Sequence, residues 1–137
     1  MSKNLINKTA IISSNAKIGD NVSIGPYCII EDNVIIGNNT KIDAFTIIKE
    51  YSEIGQNNHI FSNCVIGEIP QDKKFSGEKT KLIIGNNNVI REFCTLNRGT
   101  IDLGTTTIGN ECLLMAYVHI GHDCIVSDNI ILANGVQ

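Results

Sequence analysis

Tryptophan is absent from this 137-residue chain, and aromatics make up only 5% of it. A core so poor in rings must be filled by aliphatic and small side chains, which suits a narrow interior. Also missing is any apolar run long enough for a membrane-spanning helix. No charged-then-apolar signal segment occupies the first ten residues. The expectation is a cytoplasmic protein with no stable membrane insertion. The formal net charge is −3 and no basic tract is present, so the electrostatic footprint of a nucleic-acid binder is lacking. The length fits one domain, 1–137, with no linker.

What the chain does have is a period of six. Ile6, Ile12, Ile18, Ile24 and Ile30 begin a series that runs to Leu132. Of its 22 positions, 19 hold Ile, Leu or Val, and only Asp72, Glu78 and Asp102 interrupt it. Six is neither the 3.6 of a helix nor the 2 of an ordinary strand, so it marks a short supersecondary unit repeated along the chain. Counting the aliphatic residue as position i, small residues recur at i+4, as in Ala10, Ala16, Thr40, Thr46, Ser52 and Thr100. Position i+4 and the next i are two residues apart, so both point to one side of a short strand. Gly follows the aliphatic residue at Gly19, Gly25, Gly37, Gly55, Gly67, Gly85, Gly109 and Gly121, and Asn recurs at i+3. Both tolerate the positive φ that a tight corner between strands demands. Gly and Asn at this density would break any helix bundle.

Strand, corner, strand, with one large and one small inward residue per unit, describes a parallel β-helix. The pattern resembles the left-handed β-helix of the hexapeptide acyltransferases, in which three hexads make one triangular coil. The resemblance alone implies the handedness, since parallel crossovers are in general right-handed. About seven coils are expected. Each inward aliphatic contributes roughly 1.5–3 kcal/mol on burial, against about 1–2 kcal/mol per residue for ordering the backbone. One coil cannot stand alone, so the coils must stack.

All five cysteines, Cys28, Cys64, Cys94, Cys112 and Cys124, fall at i+4. That placement predicts inward free thiols acting as small hydrophobes rather than a disulfide or metal framework. The breaks in the period point elsewhere. One runs over 68–82 and carries Pro70, Gly77 and four lysines; the other runs over 97–107 as NRGTIDLGTTT. Loops thrown out from a rigid scaffold commonly carry function, though tolerated insertions read the same way.

A third feature is HIGHDC, with Ile120 and Cys124 inward. His119 then faces outward on a strand, and His122 and Asp123 occupy a corner. An outward His beside a carboxylate is the composition of a general base with its orienting partner. Asp123 also stands where Asn usually sits, which corner geometry alone would explain. A three-histidine zinc site would have to combine His59, His119 and His122, and His59 lies ten hexads before His119. Only sharing between subunits would assemble it, and no spacing supports it. No metal or other cofactor is expected.

The strings IGEIPQDKKFSGEKT (66–80), RGT (98–100), LLM followed by HIGHDC (113–124) and ILAN (131–134) are more selective than the coil repeats. Together they resemble the UDP-N-acetylglucosamine O-acyltransferases of lipid A biosynthesis. The resemblance covers the whole chain but only the front half of a typical member, without the later coils and the C-terminal helical domain. It implies a cytoplasmic homotrimer with active sites in the clefts between neighbouring β-helices. Such an enzyme moves a fatty acyl group, commonly (R)-3-hydroxyacyl, from acyl carrier protein to the 3-hydroxyl of UDP-N-acetylglucosamine. On this resemblance His122 is the general base and Asp123 the carboxylate that orients it. Gln71, Asp72 and Lys74 match positions that contact the sugar nucleotide or acyl chain, and His119 lines the same site. Asn97 departs from the family, where some members have a histidine beside RGT.

The residue types suit that chemistry. A sugar hydroxyl attacks a thioester well only when a base such as imidazole, with an ordinary pKa of about 6.5, accepts its proton. A neighbouring carboxylate holds the ring tautomer and stabilises the imidazolium. Two alternatives remain at the level of sequence: an acyl-CoA-dependent sugar acyltransferase of the hexapeptide family, and a truncated non-catalytic β-helix. Acyl-chain length, and the choice between UDP-N-acetylglucosamine and its 3-amino analogue, are not encoded in these residues.

Overall fold

Isoleucine lies over isoleucine along much of the molecule. In the computed structural model, which describes residues 3–137, Ile24 pairs with Ile6 on one side and Ile42 on the other. The same step joins Ile12 to Ile30 and Ile18 to Ile36. Each ordinary coil is therefore three hexads, and each of these hexads supplies one short strand, the strands having two to four residues. All strand pairs among the described residues are parallel, and they form three sheets of seven, six and six strands. The chain visits the sheets in rotation, so every third strand stacks on the one before it. This is a left-handed parallel β-helix.

The inward aliphatics from Ile24 to Ile120 form the core, and none of them exceeds 5% exposure. The small slot is polar where it can donate. The Thr40 hydroxyl bonds to Gly55 O at 2.9 Å and that of Thr46 to Phe61 O at 2.8 Å. The thiols do the same: Cys28 Sγ lies 3.0 Å from Asp43 O, Cys64 Sγ 3.0 Å from Arg91 O, and Cys112 Sγ 3.1 Å from Ser127 O. These cysteines are buried hydrogen-bond donors to the next coil, more than fillers. Cys124 stands at the same position of the hexad but is exposed, so the expectation of five buried thiols holds for four of them.

The two glycine-tolerant positions turn out to have different causes. Positive φ is concentrated at i+3, from Asn21 (φ 55) and Asn33 (φ 58) to Asp123 (φ 62) and Asn129 (φ 60). Among the i+1 glycines only Gly67 has it, at φ 87. Others sit where one coil touches the next. A Cβ on Gly37 would lie 2.6 Å from Gly55 C, and one on Gly85 2.6 Å from Gly109 O. Close approach, not φ, demands glycine there.

Both breaks in the sixfold period are insertions of whole hexads. Ile42 pairs with Ile60 across one ordinary coil, but Ile60 pairs with Ile90 and Ile90 with Leu114. The extra residues hold Asp72 and Glu78 in one case and Asp102 in the other, which are the three exceptions in the period. They form the loops 69–80, between strands Val65–Glu68 and Lys81–Ile84, and 98–104, between Thr95–Asn97 and Thr105–Ile108. The loops occupy the same corner on successive coils, and the next coil brings His122 to that corner.

Candidate active site

His119 opens the strand His119–Ile120, which lies beside Thr95–Asn97 with His119 opposite Thr95. Its Nδ1 is 2.8 Å from the Thr95 hydroxyl. Its Nε2 is turned toward Gly121, lying 4.0 Å from where a Cβ on that residue would stand. The chain then turns, and His122 and Asp123 follow on the corner.

The two are hydrogen-bonded, with His122 Nδ1 at 2.8 Å from Asp123 Oδ2. A carboxylate only accepts, so Nδ1 carries the proton, and in the neutral ring Nε2 then keeps its lone pair. The imidazole is 36% exposed against 14% for the carboxylate, so the ring is the member of the pair that meets solvent. Asp123 is held from the opposite side as well. Thr100 N donates to its Oδ1 at 2.9 Å, the Thr100 hydroxyl donates to its Oδ2, and its own N–H donates to Thr106 Oγ1 at 2.9 Å. Burial pushes the Asp123 carboxyl up, but the Thr100 hydroxyl, His122 and the N–H groups of Thr100 and Leu103 outweigh it and leave the pKa lowered. Asp123 thus serves two contacts of the corner at once. It makes the left-handed corner, at φ 62, and it binds the histidine.

The first loop reaches the support of this pair at Thr100. Asp72 Oδ1 accepts the Lys74 N–H at 2.9 Å and Asp72 O accepts that of Phe75 at 3.0 Å, closing a turn. Asp72, Lys74, Phe75 and Glu78 from the first loop face Thr100, Ile101 and Asp102 from the second across a cleft of about 60 Å³. Thr100 belongs both to the cleft wall and to the support of Asp123. Lys74 is exposed, and Gln71 is exposed outside the cleft lining. Asn97 is buried at 3% exposure, and its Oδ1 has no hydrogen-bond partner among the described residues.

Sequence reasoning gave Thr95, Thr100 and Thr106 no part in the site; Thr100 read only as a small inward residue at i+4, whereas it stands in the second loop and bonds to Asp123. RGT was visible as a string, but the partner of Thr100 lies 23 residues away, across the second insertion. The third histidine is elsewhere: His59 pairs with Asp43 at 3.0 Å on a different sheet. Among the described residues, no group of three His, Cys, Asp or Glu is placed to hold a metal ion. Among them, too, no helix is long and apolar enough to cross a membrane.

The pattern of the bacterial transferase hexapeptide family (six repeats) matches residues 15–50 and 105–137, on either side of the two loops. The chain belongs to that family. Within it, similarity extends through the loops. An acyl-[acyl-carrier-protein]–UDP-N-acetylglucosamine O-acyltransferase of Aliarcobacter butzleri is 62% identical over 133 residues, 96% of this chain and 51% of the relative. One from Thiobacillus denitrificans is 60% identical over 96% of this chain and 52% of its own length. The crystal structure of UDP-N-acetylglucosamine O-acyltransferase from Moraxella catarrhalis superposes with a TM-score of 0.93 at 51% identity. It is matched over 94% of this chain and 51% of that one. The chain spans about half the length of the relatives it matches.

Proposed function

We propose that this chain carries the reacting corner of an acyltransferase that moves a 3-hydroxy fatty acyl group from acyl carrier protein to the 3-hydroxyl of UDP-N-acetylglucosamine, the first step of lipid A biosynthesis. The observation that carries this reading is the His122–Asp123 pair, braced by Thr100, which also lines the cleft of the first loop, in a hexapeptide β-helix whose relatives are named acyl-[acyl-carrier-protein]–UDP-N-acetylglucosamine O-acyltransferases.

His122 Nε2 takes the proton of the sugar hydroxyl as its oxygen attacks the thioester carbon. The C–O bond forms, the C–S bond breaks, and the proton passes to the leaving thiolate. Asp123 keeps Nδ1 protonated, so that the lone pair faces the acceptor, and it stabilises the imidazolium that forms. Lys74 offers a cation for phosphate or sugar oxygens, Gln71 and Asp72 offer polar contacts on the same loop, and His119 forms part of the wall. The outward-facing histidines need a second wall to exclude water and hold an acyl chain. A neighbouring copy in a homotrimer supplies it, and the enzyme works in the cytoplasm, where its soluble substrates are.

The test is a chain in which residues 1–137 are joined in register to the second half of the Aliarcobacter butzleri relative. Mass spectrometry of UDP-N-acetylglucosamine incubated with 3-hydroxyacyl carrier protein should show one added acyl group. Folded protein that leaves the sugar nucleotide unmodified would sink the reading. Transfer from acyl-CoA but not from the carrier protein would replace the donor.

A further inference from the structure

Arg98 is buried, at 7% exposure, just past the strand that leads into the second loop. Its guanidinium meets backbone rather than carboxylate. Nη1 donates to Glu50 O at 3.4 Å and Nη2 to Glu78 O at 3.2 Å, while Nε has no partner among the described residues. The Tyr51 ring centre is 5.4 Å from Cζ and the Phe75 ring centre 5.3 Å. The Arg98 N–H donates to Glu68 O at 2.9 Å. One residue therefore touches the first loop at its entry (Glu68), its middle (Phe75) and its exit (Glu78). The same residue joins all three to the corner of the coil below (Glu50, Tyr51).

A buried cation is costly unless its donors are satisfied, and an aliphatic side chain would fill the space at lower cost. What arginine adds is a planar fork that meets two carbonyls in fixed directions while its face lies against aromatic rings. A polar loop with no inward aliphatic of its own needs such a clamp, since Asp72 and Glu78 stand where the coils have isoleucine. Two residues further on, Thr100 grips Asp123. Gly99 between them has no room for a Cβ, which would run into the Thr105 backbone. The segment 98–100 thus touches the first loop at Arg98 and the dyad at Thr100.

We propose that Arg98 is a positioning residue that fixes the 69–80 loop over the acceptor and so sets affinity for the sugar nucleotide, acting through Asp72 and Lys74 without touching the reacting atoms. What the loop binds rests on the acyl-transfer reading above; the clamp itself does not.

The experiment compares Arg98→Lys and Arg98→Met with the parent. Amide exchange of this chain reports the loop, and kinetics of the joined enzyme report the acceptor. Both variants should raise exchange across 69–80 by roughly tenfold while the coils on either side stay protected. Trypsin should cut faster after Lys73 and Lys74. KM for UDP-N-acetylglucosamine should rise roughly tenfold with kcat and its pH profile almost unchanged. Lysine keeps the charge but not the fork, so it should fail to rescue. Unchanged loop exchange in both variants overturns the clamp. Exchange rising through the coils, with a lower thermal midpoint, makes Arg98 a general stabiliser and also overturns it. A loosened loop with unchanged KM overturns the acceptor role. If the parent joined enzyme transfers no acyl group, the acyl-transfer reading fails while loop exchange still decides the clamp.

Discussion

Thr100 holds Asp123 by two donors at once, its N–H on one carboxylate oxygen and its hydroxyl on the other, the oxygen that also receives His122. Thr100→Val keeps shape and burial but removes the hydroxyl. A hydrogen bond to a charged group is worth about 1.5–3 kcal/mol, so kcat of the joined enzyme should fall roughly tenfold or more, with KM for the acceptor little changed. An unaltered kcat would show that the carboxylate needs no second support.

Replacing His122 by Ala should lower kcat by roughly 10²–10⁴-fold, the usual cost of removing a general base. Its ring is partly exposed on a corner and packs in no core, so the thermal midpoint should hold. Asp123→Ala should cost less, because it leaves an imidazole that can still accept the proton of the hydroxyl. His119→Ala should cost less again. Near-normal turnover by His122→Ala, or loss of turnover in His119→Ala alone, would move the base.

Asp123 also predicts a pH dependence of stability. Its folded pKa is lowered, so its contribution is complete above the unfolded value of about 3.9 and is lost as pH falls through the folded value. Urea midpoints of the parent should exceed those of Asp123→Asn at pH 7, and the gap should close in acid. A gap that widens toward pH 3 would reverse the sign of the argument.

Gly85→Ala should destabilise the chain by about 1–3 kcal/mol, the usual range for overpacking, because its Cβ would meet Gly109 O at 2.6 Å. Urea unfolding measures this directly. A neutral result would show that the coils can separate at this corner without cost.

A polar thiol reagent should modify Cys124 quickly and Cys28, Cys64, Cys94 and Cys112 only after denaturant is added, in line with one exposed and four buried thiols. Rapid labelling of a second site in the native chain would contradict the inward slot.

The period of six was legible because each ordinary coil is three hexads and both insertions keep that phase, so the count never slips between Ile60 and Leu114. The outward placement of His119 and His122 followed from the same count. Less legible was why glycine recurs: Gly85 and Asn87 both read as corner residues, but one avoids a contact and the other bends the chain. Thr100 and Arg98 were hidden because their partners lie across insertions, where spacing carries no register. Cys124 has the same pattern as the other four, and its exposure depends on what lies above it.

The backbone ladder passes over the insertions as though they were absent. Lys41 N donates to Asn58 O at 2.8 Å across an ordinary coil, and His59 N donates to Asn88 O at 2.9 Å across the long one. The rise per turn is therefore indifferent to how much chain leaves the prism between strands. Natural variation can lengthen, shorten or exchange either loop and keep the spacing of the inward stack. Substrate preference in such a molecule can drift while its architecture stays fixed.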